Sequence, residues 1–191
     1  MNAPTATTTA GPFRSDHWRR VFEVGFWVVT TCINAVANSI TVLIEIENSG
    51  LGFAPWEPVT WEWSSGILML ALVPALVWFT RRVPIHWDGW RRALPWHLLG
   101  SVVFCLVHVV GMVAIREVVY AWQGSEYDFG SWPRQLFYEY LKDVRSYAGM
   151  VVIIEGYRFI RRRWQGEASL LGEPDEGPPV VPVQRPEPFL V

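Results

Sequence analysis

The sequence predicts an all-α protein: a bundle of four transmembrane helices with both termini in the cytoplasm. Three observations predict it. Hydrophobic residues make up 51% of the 191 residues and charged residues only 18%, whereas a soluble domain carries nearer a quarter charged. The uncharged residues gather into runs at 24–44, 63–80 and 98–115. The charges between the runs alternate in sign from one connection to the next.

The first span is expected at about 21–46. Its uncharged run is long enough alone, because about 20 mostly apolar residues cross a hydrocarbon layer of about 30 Å. The second, at about 60–80, carries Pro74 as a kink. The third, at about 96–120, reaches full length once Trp96 is counted at its edge. The fourth, at about 134–163, is the least apolar. Its first half, RQLFYEYLKDVR, contains Arg134, Glu139, Lys142, Asp143 and Arg145, with Phe137, Tyr140, Leu141 and Val144 at helical spacing. An amphipathic surface helix with a short re-entrant piece is the alternative for this segment.

Basic residues set the orientation. Arg14, Arg19 and Arg20 precede the first span, Arg81, Arg82, Arg91 and Arg92 lie between the second and third, and Arg158, Arg161, Arg162 and Arg163 close the fourth. The other two connections, 45–62 and 117–132, contain acidic residues and no Lys or Arg. Because Lys and Arg stay cytoplasmic, four spans with both ends inside satisfy every segment. Twelve tryptophans reinforce this reading, with Trp18, Trp56, Trp61, Trp63, Trp78, Trp96, Trp132 and Trp164 near span ends. Such rings anchor at the membrane interface.

The domain plan follows: a cytoplasmic segment at 1–20, a membrane domain at 21–165 and a proline-rich linker at 166–187. Residues 188–191 are expected to start a further domain. The N-terminus lacks the basic head of a cleavable signal. Cys32 and Cys105 have no metal-type spacing and are expected as buried apolar residues or as a packed pair.

Ionisable residues near a membrane need partners or water. Glu62, Arg116, Glu117, Glu139, Lys142, Asp143 and Arg145 all fall toward the outer leaflet. They form a candidate ligand or coupling cluster, with Arg116 expected to pair with Glu62 or Asp143. Structural salt bridges and an ion path are the competing readings of the same residues. Asn34, Asn38 and His108 are the candidate buried polar core, with His108 bonded to either asparagine. His97 and His108 lie near one helical face, shared in part by Ser101, Cys105 and Met112. Glu155 is expected to pair with Arg158 or a loop arginine. No haem, metal or other cofactor is expected, since the histidines do not face each other from separate spans. No phosphate loop, HExxH or serine elbow occurs, so the chain is not expected to be an enzyme. Acid–base work by His108, Glu62 and Asp143 would be the route to an intramembrane enzyme.

Three pieces carry a resemblance: WEPVTWEWSSGILMLALVPALVWF at 56–79, HLLGSVVFCLVHVVGMVAIREVVY at 97–120 and YDFGSWPRQLFYEYLKDVRSYAGMVVII at 127–154. Residues 16–165 resemble the membrane-embedded N-terminal half of LytTR-family transcriptional regulators of proteobacteria. The resemblance implies a bacterial inner-membrane location. It also implies a cytoplasmic, mostly β DNA-binding domain after the linker, which binds paired sites as a dimer. PFLV at the end resembles that domain's opening strand. The resemblance thus implies DNA, through the following domain, and a second copy as partners; the spans and the polar cluster add the lipid bilayer and a small ligand or membrane-protein partner. The family pattern names no ligand. A passive membrane anchor is one competing function, and a small transporter or intramembrane enzyme is another.

Overall fold

The computed structural model describes residues 16–50, 52–85 and 89–170. The segment before Asp16, His86, the proline-rich stretch from residue 171 and the closing PFLV lie outside the described residues. Every regular element among those described is an α-helix: α1 (Asp16–Ser49), α2 (Trp56–Arg82), α3 (Trp90–Trp122) and α4 (Trp132–Leu170). α4 runs past Gly166, where the linker was expected to begin.

Local chemistry explains the ends. The Glu57 carboxylate turns back to accept the Ala54 amide at 2.8 Å, and Pro58 sits in the first turn, where its missing N–H costs no helical bond. Pro84 follows the α2 C-cap, whose Val83 amide bonds the Phe79 carbonyl at 2.9 Å. α3 stops at Gly124, whose φ of 72° is left-handed, and the Ser125 amide caps the Tyr120 carbonyl at 2.9 Å. Before α4, Asp128 Oδ1 accepts the Gly130 amide at 2.7 Å in a side-chain-closed turn. Pro133 then opens the helix. Pro74 is accommodated within α2, which continues through it.

α1 from His17, α2 and α3 are each long and apolar enough to cross a membrane. The pattern of exposure agrees. Ile33, Val36, Ile40 and Ile44 of α1 are exposed, as are Leu98, Leu99, Val103 and Val110 of α3. Meanwhile Ser39, Ser64, Thr80, His97, Ser101, His108, Glu139 and Asp143 are buried. Water would drive that arrangement the other way; lipid tolerates it, because helices associate there through packing and polar contacts. α4 differs, since its longest uncharged stretch is 146–154, about 13 Å at 1.5 Å per residue.

The chain forms two compact units that divide within α4, at Val151 and Val152. In the first unit, Cys105, Val109, Met112 and Val113 make a buried cluster, packed by Tyr127, Phe129, Leu136 and Tyr140. Close approach to α2 occurs at two glycines of α3. A Cβ on Gly111 would meet the Leu68 side chain at 2.7 Å, and one on Gly100 would meet the Phe79 ring at 3.1 Å. The second unit begins at Val152 and contains the basic run of α4. There Arg158 Nη1 donates to Glu155 Oε1 at 2.6 Å, the pairing expected from their one-turn spacing.

Candidate functional site

The stripe His97, Ser101, Cys105, His108 and Met112 of α3 recurs every three or four residues and is buried throughout. It supplies the polar centre of the first unit. His108 is 1% exposed and Asp143 of α4 2%. His108 Nδ1 lies 2.9 Å from Asp143 Oδ2. On the other side of the ring, Nε2 lies 3.0 Å from Ser65 Oγ of α2. An ionised Asp143 only accepts, which puts the ring N–H at Nδ1 and leaves Nε2 to accept the Ser65 hydroxyl proton. One polar chain therefore links α2, α3 and α4. An isolated carboxylate costs several kcal/mol away from water; the His108 N–H offsets part of that cost.

A second tie lies nearer the α3 N-terminus. His97 Nε2 donates to the Val83 carbonyl at 2.9 Å and Nδ1 accepts from Tyr147 at 3.0 Å. A backbone carbonyl cannot donate, so this ring carries its proton at Nε2, the opposite tautomer to His108. Ser101 Oγ stands 3.3 Å from the Tyr140 hydroxyl.

The third tie gathers at the α2 N-terminal end. Arg116 Nε donates to Ser64 Oγ at 3.0 Å, Nη1 to the Tyr127 hydroxyl at 2.8 Å and Nη2 to the Trp61 carbonyl at 2.9 Å. Its guanidinium also lies over the Tyr127 ring, 5.7 Å from the centroid. Beside it, Trp61 Nε1 donates to the Tyr120 hydroxyl at 2.7 Å, which donates to Glu57 Oε2 at 2.8 Å.

Several expected partners differ. Arg116 pairs with neither Glu62 nor Asp143. Its long side chain finds two hydroxyls and a carbonyl, and Glu62 stays half-buried without a hydrogen-bond or ion-pair partner among the described residues. His108 bonds neither Asn34 nor Asn38. Both asparagines are exposed on α1, and Asn34 Nδ2 returns to its own helix at the Thr30 carbonyl, 2.8 Å away, a local bond open to short polar side chains. The expected outward cluster divides. Asp143 joins the central relay, Glu139 is buried and takes Lys142 Nζ at 3.1 Å, and Glu117 and Arg145 are exposed. Cys32 and Cys105 are both free thiols rather than a pair.

Sequence reasoning missed Ser65, Glu57, Tyr120, Tyr127 and Tyr147. One signal for Ser65 was available: Ser64, Ser65 and Gly66 interrupt an otherwise large-residue apolar run. Glu57 is read only as part of the acidic connection 45–62, and the three tyrosines carry no signal until helix rotation is known. The described residues hold no cluster of three or more His, Cys, Asp or Glu fit for a metal. No known family model, curated protein or solved structure matches the chain.

Proposed function

We propose that the chain is the membrane-embedded sensory or regulatory module of a LytTR-type DNA-binding regulator, held in a bacterial inner membrane with both termini in the cytoplasm. The orientation rests on the distribution of arginines, and the family on the resemblance in α2, α3 and the first half of α4. The observation that carries the reading concerns α4. This helix contributes Asp143 to the buried relay with His108 and runs on as one helix to Leu170, through Arg158, Arg161, Arg162 and Arg163. A signal that favours one packing of the relay over another would shift the helix that leads to the DNA-binding domain. In this reading α4 crosses the membrane despite its charges, because Glu139, Asp143 and Glu155 each have a partner.

A passive anchor predicts a different outcome. The test uses the full-length gene in its own host. Transcripts are compared with the gene intact, with residues 16–165 deleted, and with Arg116→Met, after checking protein amount and membrane insertion. At least a three-fold change in regulated transcripts for either altered gene, at equal protein amount, supports regulation. Unchanged output from both makes the bundle an anchor.

A further inference from the structure

Ser65, His108 and Asp143 stand in the order nucleophile, base and orienting carboxylate, with links of 3.0 and 2.9 Å. Those lengths are within hydrogen-bond reach for a serine activated by histidine. The exposures are also graded. His108 and Asp143 are sealed, while Ser65 is half-buried. We propose that Ser65 is an activated nucleophile that cleaves lipid acyl esters at the membrane interface. This proposal stands independently of the regulatory reading above.

Position selects the substrate. Ser65 lies five residues inside the second span, about 7 Å from its outer end, in the half of the layer that borders the outer headgroup region, where acyl ester carbonyls reside. A water-soluble ester has no comparable access to a serine on a lipid-facing helix.

Charge on the carbonyl oxygen needs donors. Ser65 lies inside α2, so nearby backbone amides are committed to the helix. Arg116 is the group available. It already touches the Ser64 hydroxyl, next in sequence to Ser65, and the Trp61 carbonyl one turn away. Three of its five N–H donors are engaged in hydrogen bonds, which leaves two for an oxyanion.

The steps balance. Ser65 Oγ attacks the ester carbonyl carbon as its proton passes to His108 Nε2. The carbon–oxygen bond to the alcohol breaks, and the departing oxygen takes that proton. Water then attacks the acyl-serine, giving its proton to Nε2; the acid leaves and the proton returns to Ser65 Oγ. Asp143 is the positioning residue that keeps the ring N–H at Nδ1.

The protein in native membranes is treated with a fluorophosphonate probe and the adduct located by peptide mass spectrometry. Release of labelled fatty acid from phospholipid is measured in parallel. The expected result is an adduct on Ser65 that Ser65→Ala removes and that His108→Gln and Asp143→Asn lower at least ten-fold. Asp143→Glu, which keeps a carboxylate, retains more labelling than Asp143→Asn. Fatty-acid release falls at least ten-fold in Ser65→Ala and in Arg116→Met. Thermal unfolding of Ser65→Ala, which removes only a hydroxyl, serves as the folding control. No adduct on Ser65, or one that His108→Gln leaves undiminished, overturns the activated nucleophile. An adduct without fatty-acid release overturns the lipid ester as substrate.

Discussion

Replacing Asp143 by alanine removes the acceptor that faces His108. The ring N–H at Nδ1, 1% exposed with its residue, is left without a partner. An orphaned buried donor costs about 1–3 kcal/mol. Interhelical polar bonds in membranes measure lower, about 0.6 kcal/mol on average and up to about 1.7, because separated helices find other partners. The site joins α3 to α4 through a fully enclosed pair, so the upper part of the membrane range plus the orphan donor applies. That gives about 2–3 kcal/mol. Asparagine keeps an oxygen for Nδ1–H and nearly the same volume, so Asp143→Asn is expected to cost under about 1 kcal/mol. Unfolding in mixed micelles, followed by helical circular dichroism, measures both. A double-mutant cycle with His108→Ala isolates the coupling. An alanine variant within about 0.5 kcal/mol of the parent, with no coupling to His108, refutes the reasoning.

Other perturbations test the remaining ties. Gly100→Ala puts a Cβ 2.9 Å from the Tyr147 hydroxyl and 3.1 Å from the Phe79 ring. Tyr147 is pinned by His97, so the clash is expected to cost about 1–3 kcal/mol in the same assay. Gly111→Ala meets only the Leu68 side chain, Cδ1 at 2.7 Å and Cγ at 3.1 Å; this one aliphatic chain can turn away, so the change should cost less than Gly100→Ala. Arg116→Met preserves much of the stem but loses three hydrogen bonds, at about 0.5–1.5 kcal/mol each; faster proteolysis of the Tyr127 loop checks it. Asn34→Leu on the exposed face of α1 is expected to change stability by under about 0.5 kcal/mol, since its bond stays within the helix.

The helices were legible because a strong period needs no knowledge of neighbours. Runs without charge located α1, α2 and α3, and the amphipathic spacing of Phe137, Tyr140, Leu141 and Val144 located the start of α4. The buried face of α3 was also legible, since His97 and His108 are three turns apart. Partners across helices were not. Asp143 is 35 residues from His108, and their meeting depends on how α4 is rotated against α3, which a period cannot give. The same limit misassigned Arg116, whose reach spans several acceptors. Asn34 failed for a different reason: a polar side chain on a helix can satisfy itself at the preceding turn.

The proposed function requires that α4 crosses the membrane, although its charges keep it outside the helices apolar enough by composition. The decisive measurement is therefore sidedness. Cysteines are placed singly at Ser125, Ile85 and Trp164 in a protein with Cys32→Ala and Cys105→Ala, and intact cells are treated with a thiol reagent that cannot cross the membrane. All three positions are exposed. The account predicts that Ser125→Cys is labelled in intact cells, while Ile85→Cys and Trp164→Cys react only after the membrane is opened. Labelling of Trp164→Cys from the same side as Ser125→Cys would contradict the fourth crossing, and with it the cytoplasmic end of α4.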